Sequence, residues 1–217
     1  MDFFEDLIAE RLGGKLFGKS TEIYKFEKIK RAKAEATSKY PDIQIIDMGV
    51  GEPDIPADSG VVNKLAEEAG KPENRWYSDN GTLEFQEAAA KYLEKVYQLS
   101  NIDPQKNIIH GIGSKPVLAI LPICLINPGD ITLATTPGYG VTSTYTRYLG
   151  GDVYNLPLAK ENSFFPDFTT IPDDILQRAK ILYINYPNNP TGQVATKSFF
   201  SSVVAFAKKN RIAVIHD

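Results

Sequence analysis

Asn185-Tyr186-Pro187-Asn188-Asn189-Pro190-Thr191-Gly192 follows the apolar run Ile181 to Ile184 and precedes a helix-like run from Thr196 to Lys209. Two Asn-Pro-type punctuations after a buried-looking strand predict a polar turn at the strand's carboxyl end. Open α/β sheets hold their ligands at that end. Further on, Ile212-Ala213-Val214-Ile215 reads as another buried strand, which delivers His216 and Asp217 to the same sheet edge as Asn189.

Working back from that turn, the pattern alternates. Strands are expected at Asn107 to His110, Ile131 to Thr135, Val153 to Leu156, Ile181 to Ile184 and Ile212 to His216. Helices are expected at Ser114 to Leu125, Val141 to Tyr148, Asp173 to Lys180 and Lys197 to Lys209, with a looser insertion from Ala159 to Ile171. This predicts an α/β fold, a mostly parallel sheet with helices on both faces. The N-terminal part reads differently. Phe3, Phe4, Leu7, Ile8 and Leu12 have helical spacing that Gly13-Gly14 ends, and Ile23, Phe26, Ile29 and Ala32 mark a second helix running to about Lys39. A short strand, Ile43 to Met48, leads into the Gly49-Val50-Gly51-Glu52-Pro53 turn. An amphipathic helix from Thr82 to Tyr97 carries Phe85, Ala89, Tyr92 and Val96 on one stripe.

Composition narrows the function classes. The chain has 217 residues, 42% of them hydrophobic, and a formal charge of −3, which gives no electrostatic reason to expect nucleic acid. Lys25, Lys28, Lys30, Arg31 and Lys33 are interspersed with Glu22, Glu27 and Glu35, the pattern of a solvated helix face. The start, Met1 to Asp6, lacks a secretory n-region, and the apolar stretch Val117 to Ile126 falls short of the ~20 residues a membrane helix needs. The single cysteine, Cys124, reads as a small buried hydrophobe, and a chain with one thiol suits the reducing cytoplasm.

Gly111-Ile112-Gly113-Ser114-Lys115 falls at a strand-to-helix junction, where free N–H groups, a hydroxyl and an ammonium make an anion site. A Gly-rich turn capped by Ser114 for purely structural reasons fits the same residues. Thr136-Pro137-Gly138-Tyr139-Gly140 is a further strand-end turn. An anion holder, the flat ring of Tyr139, the amide of Asn189 and the carboxylate of Asp217 together describe a site for a planar, phosphorylated heteroaromatic cofactor. Asp217 and His216 are neighbours on a strand, so their side chains should take opposite faces, and His216 reads as a packed or hydrogen-bonded histidine. With only His110 besides, no metal cluster is expected.

Tyr-Pro-Asn-Asn-Pro-Thr-Gly, followed at the right distance by an apolar strand ending in Asp, resembles the pyridoxal-phosphate-dependent aminotransferases of classes I and II. Within them the chain is most similar to the LL-diaminopimelate aminotransferases, on Ile23-Tyr24-Lys25-Phe26, Tyr77-Ser78-Asp79-Asn80-Gly81 and Gly113-Ser114-Lys115. The resemblance implies an incomplete aspartate-aminotransferase-like large domain over 49–217, preceded over 1–48 by an N-terminal arm and part of a small domain. It implies that Ser114 and Lys115 hold the cofactor phosphate, Tyr139 stacks on the pyridine, Asn189 bonds its phenolic oxygen and Asp217 pairs with its nitrogen. Tyr77 would reach a partner subunit's phosphate across a homodimer interface. Tyr24, Gly51, Lys115 and Asn189 would meet substrate.

The family's Schiff-base lysine, and an arginine that grips the substrate carboxylate, belong downstream of Asp217. The resemblance therefore implies the N-terminal part of a longer enzyme that transfers an amino group between LL-2,6-diaminopimelate and 2-oxoglutarate for lysine synthesis, with residues 1–217 inactive alone. The alternative is a non-catalytic module that keeps the fold and dimerises or binds phosphate compounds.

Overall fold

Ala179–Ile184 (β3) is buried at five of its six positions, the pattern of a strand covered on both faces rather than one. In the computed structural model, which describes residues 4–19, 25–49, 51–78 and 81–217, β3 is central in a four-stranded sheet. The other strands are Ile131–Thr136 (β1), Asp152–Pro157 (β2) and Ala213–His216 (β4), in the order β2-β1-β3-β4. All three pairings are parallel: Ile131 lies opposite Asp152, Leu133 opposite Leu182, and Ile184 opposite His216. The α/β reading with a mostly parallel sheet holds.

The chain packs as two units, 1–109 and 110–217. This division concerns packing alone, and the division at 48/49 that the resemblance implies stays a proposal. In the second unit the connections are helical: Ser114–Leu125 (α5) leads into β1, Val141–Tyr148 (α6) joins β1 to β2, Asp173–Arg178 (α7) precedes β3, and Lys197–Asn210 (α8) joins β3 to β4. Side-chain alternation along the strands then feeds two cores. Leu182 and Ile184 pack with Val203, Phe199, Phe200 and Phe206 of α8, and Ile181, Tyr183 and Ile215 pack with Leu118 and Leu121 of α5 and Val141 of α6. At about 25 cal/mol per Å² of apolar area removed from water, these two layers are what hold the sheet.

The helix expected to end at Lys180 stops at Arg178, because Ala179 and Lys180 already belong to β3. Cys124 is exposed on α5 rather than buried, on a face shared with exposed Ile120 and Ile123. The strand expected at Asn107 to His110 is absent. Asp103 accepts hydrogen bonds from the N–H groups of Gln105 and Lys106 at 3.0 and 3.3 Å, and with Pro104 at the first position it draws Pro104–Asn107 (α4) into a helical turn.

The first unit holds further helices: Lys25–Lys39 (α1), Ser59–Ala69 (α2) and Leu83–Tyr97 (α3). Thr82 caps α3 by accepting from Phe85 N–H at 3.3 Å, but Phe85, Tyr92 and Val96 of its apolar stripe are about half exposed. Where one helix is expected over 3–12, the described residues form 3₁₀ turns at Glu5–Leu7 and Glu10–Leu12, with a third at Gly14–Leu16. Extended backbone at Ile8 and positive φ at Gly13 and Gly14 interrupt them, and segments this short cannot offset the cost of nucleating an α-helix. Ile43 to Met48 joins no ladder among the described residues, and Ile46 and Met48 are exposed. Strand preference is a preference for a paired, half-buried surface, and these residues have none. Helix α2 was not anticipated, although Asp58 followed by Val61, Val62 and Leu65 carries its cap and its stripe.

Candidate active site

Sheet order fixes where a ligand fits. From β1 the chain moves outward to β2, then returns across β1 to β3, so the direction of winding reverses between β1 and β3. Loops leaving the carboxyl ends of two such strands diverge and open a crevice. The loop after β1 carries Pro137, Gly138 and Tyr139, and the loop after β3 carries Asn185 to Gly192. Gly138 is required there, since a Cβ would collide with the carbonyl oxygen of Thr135.

The anion side is the start of α5. Gly113, at φ +74°, is its N-cap and no side chain caps it, which leaves the first-turn N–H groups available. Ser114 is the first residue of the helix and not its cap, so the purely structural role for its hydroxyl is not the one adopted. The ammonium of Lys115 lies 6.0 Å from the centre of the Tyr139 ring. Tyr139 packs in turn into the cluster that contains buried Tyr183.

The carboxylate side is built from β3 and β4. Asp217 continues β4, its N–H donating to the carbonyl of Ile184 at 3.1 Å. Its Oδ2 accepts a hydrogen bond from the phenol of Tyr183 at 3.0 Å, and its carbonyl accepts one from Nδ2 of Asn185 at 2.7 Å. The other end of the Asn185 amide accepts from the N–H of Asn189 at 2.7 Å, so one side chain ties the Asn-Pro loop to Asp217. Burial first, then the charge of Asp217 and the hydrogen bond to it, push the Tyr183 phenol well above its ordinary pKa. It stays protonated and can only donate to the carboxylate. His216 points to the opposite face, as its position predicts, with Nε2 3.0 Å from the carbonyl of Tyr186 and its ring edge-on to Phe200.

Asn188 is buried and organises the loop: its Oδ1 accepts from Thr191 Oγ1 at 2.8 Å, and its backbone bonds Gly192 and Gln193. Its Nδ2, and Oγ1 of Thr135 at the end of β1, are buried with no protein partner. Thr135 is the penultimate residue of β1, and Asn188 lies in the loop that follows β3.

Lys115, Tyr139, Asn189 and Asp217 are thus linked through shared neighbours, with Ser114 beside Lys115. Of the other residues singled out in the sequence, Gly51 and Tyr77 lie in the first unit and are exposed, and Tyr24 falls outside the described residues. Tyr183 and Asn185 were not singled out. The donor set fits a phosphorylated cationic ring: hydroxyl, ammonium and free N–H groups at one end, an aromatic face, and a carboxylate at the other.

The comparisons with known proteins give the class. The family model for aminotransferase class I and II matches residues 43–217. The chain belongs to the class I and II aminotransferases, enzymes that work with pyridoxal 5′-phosphate. It is 58% identical over 215 residues to the LL-diaminopimelate aminotransferase of Methanocaldococcus jannaschii, covering 99% of this chain and 51% of that protein. It is 42% identical to the Moorella thermoacetica protein of the same name, over 89% of this chain and 49% of the relative. Among solved structures, substrate-bound BacF from Bacillus subtilis superposes with a TM-score of 0.83 at 34% identity, over 92% of this chain and 50% of that one. Aspartate aminotransferase from Thermotoga maritima gives 0.80 at 27% identity, over 97% and 53%. The chain spans about half the length of the relatives it matches.

Proposed function

We propose that residues 1–217 supply the phosphate cradle, ring face and ring-nitrogen carboxylate of a pyridoxal-phosphate-dependent aminotransferase acting on LL-2,6-diaminopimelate and 2-oxoglutarate, in lysine synthesis. The observation that carries the reaction class is the linked set Lys115, Tyr139, Asn189 and Asp217 around the β1/β3 crevice. The names of the relatives support the substrate pair. We further propose a cytoplasmic homodimer, in which Tyr77 serves the partner subunit's phosphate and Tyr24 and Gly51 line the substrate pocket.

When bound, pyridoxal phosphate supplies an electron sink that makes the α-proton of an amino acid labile. The protein's share is to hold and polarise it. The Ser114 hydroxyl, the Lys115 ammonium and the first-turn N–H groups of α5 bind the phosphate dianion, helped by the positive end of the helix dipole. Tyr139 covers the ring and shields it from water. Asn189, its backbone fixed by Asn185, presents its exposed amide to the phenolic oxygen. Asp217 would accept a hydrogen bond from the N–H of the ring nitrogen, and its negative charge would hold that proton on the nitrogen. The lysine that takes the α-proton is placed by the resemblance downstream of Asp217, so residues 1–217 alone are expected to show no transamination.

The test is made on the full-length protein. Borohydride reduction followed by mass spectrometry should reveal a pyridoxyl-lysine, and LL-2,6-diaminopimelate should yield glutamate from 2-oxoglutarate. Absence of the adduct sinks the enzyme reading in favour of a non-catalytic module. An adduct with turnover of other amino acids but not diaminopimelate keeps the reaction class and removes the substrate.

A further inference from the structure

We propose that Tyr183 is a positioning residue for Asp217: its phenol donates to one carboxylate oxygen, leaving the other to face the cofactor's ring nitrogen. This rests on the cofactor reading given above. The hydrogen bond joins Tyr183 Oη to Asp217 Oδ2 at 3.0 Å, between neighbouring parallel strands. Tyr183 is 1% exposed, so its ring has no room to turn the hydroxyl elsewhere. A tyrosine at this strand position is costly, since a buried hydroxyl without a partner loses its hydration. Ile181 and Ile215, which share its face, show that an aliphatic side chain fills the same layer. What tyrosine adds over them is the donor.

Two groups face the phenol, the Asp217 carboxylate and the Tyr139 ring. The Tyr139 hydroxyl is no competing acceptor of equal strength, because a carboxylate oxygen accepts the stronger hydrogen bond. The contact does two things. It fixes the carboxylate's rotation, which the backbone bond from Asn185 to Asp217 O does not do alone. Held in that orientation, the free oxygen can accept a well-aligned hydrogen bond from the ring N–H, and a hydrogen bond to the protonated ring favours that form.

The experiment compares full-length wild type, Y183F, D217N and the double variant Y183F/D217N. Each is titrated with pyridoxal phosphate labelled with ¹⁵N in the ring, and the readouts are affinity and the ring ¹⁵N chemical shift. In Y183F the affinity should fall about three- to tenfold, the range an ordinary net hydrogen-bond contribution gives. The ¹⁵N signal should move from the protonated position toward that of D217N, and the double variant should be no worse than D217N alone. A tyrosine that merely fills space would lower the melting temperature and leave the ¹⁵N shift in place, and that result, or additive losses in the double variant, overturns the inference. Wild type that takes up no cofactor, or takes it up indifferently to D217N, overturns the cofactor reading and this inference with it. Cofactor uptake that depends on Asp217, with an unmoved signal in Y183F, overturns this inference alone.

Discussion

Asn185 holds two chain segments with one amide, its oxygen taking the Asn189 N–H and its nitrogen serving the Asp217 carbonyl 32 residues away. N185A removes both bonds and should cost about 1–2 kcal/mol in urea denaturation, chiefly because the partly buried Asp217 carbonyl loses its partner, the Asn189 N–H being exposed to water. N185D keeps the acceptor and loses the donor, so it should cost less than N185A. Equal losses would mean the link to the Asn189 N–H carries nothing. Residues of this kind were hard to read from sequence. Asn189 and Asp217 stand out because each ends a recognisable strand, whereas Asn185 and Tyr183 acquire their roles from partners that only the parallel pairing of β3 and β4 brings near. Cys124 misled for a related reason: an apolar run says that a helix is buried somewhere, not which of its faces.

Helix α6 is fastened to β1 by a chain of hydroxyls. Thr146 Oγ1 donates to Thr142 O at 2.9 Å and lies 2.8 Å from Thr132 Oγ1, all in residues with no exposure. Because the Thr146 hydrogen is committed to Thr142, Thr132 is the donor to Thr146. T146V therefore strands a buried hydroxyl and should cost about 1–3 kcal/mol, whereas T132V leaves Thr146 bonded and should cost about 0.5–1.5 kcal/mol. Denaturant melts with the opposite ranking would show that the donor assignment is reversed. At this scale the helices and strands from Ser114 onward were legible, since period and punctuation agree there. The segments at 43–48 and 107–110 were not, because an extended apolar run becomes a strand only beside a partner, and near Asn107 the Asp103-Pro104 cap overrides the apolar pattern.

The molecule distributes its stability unevenly. The two buried clusters that cover the sheet lie in residues 110–217, while α2 in the first unit relies on surface pairs: Glu68 meets Lys64 at 2.6 Å and Lys71 at 2.7 Å, and Asn74 at 2.8 Å. Hydrogen bonds from Lys64, then Lys71 and Asn74, hold the Glu68 carboxyl at about 2. A depressed carboxyl stabilises the fold fully above its unfolded value near 4.5, and that contribution fades as pH falls toward 2. Hydrogen exchange followed from pH 5 to pH 2 should show α2 opening before the sheet, and E68Q should be weaker at neutral pH but flat across that window. An acid response unchanged by E68Q would place the sensitivity elsewhere. The parallel pairing of the sheet bears on how the molecule comes to exist at all. No two sequence neighbours among these strands can zip up as a hairpin; each pairing waits for a helix to be laid down between its members, which is the slow, high-contact-order route. Until β4 docks, Asp217 has no phenol to hold it and the crevice lacks its acid. A ligand that needs that acid recognises only the sheet with β4 in place, and by mass action it draws the folding equilibrium toward that state.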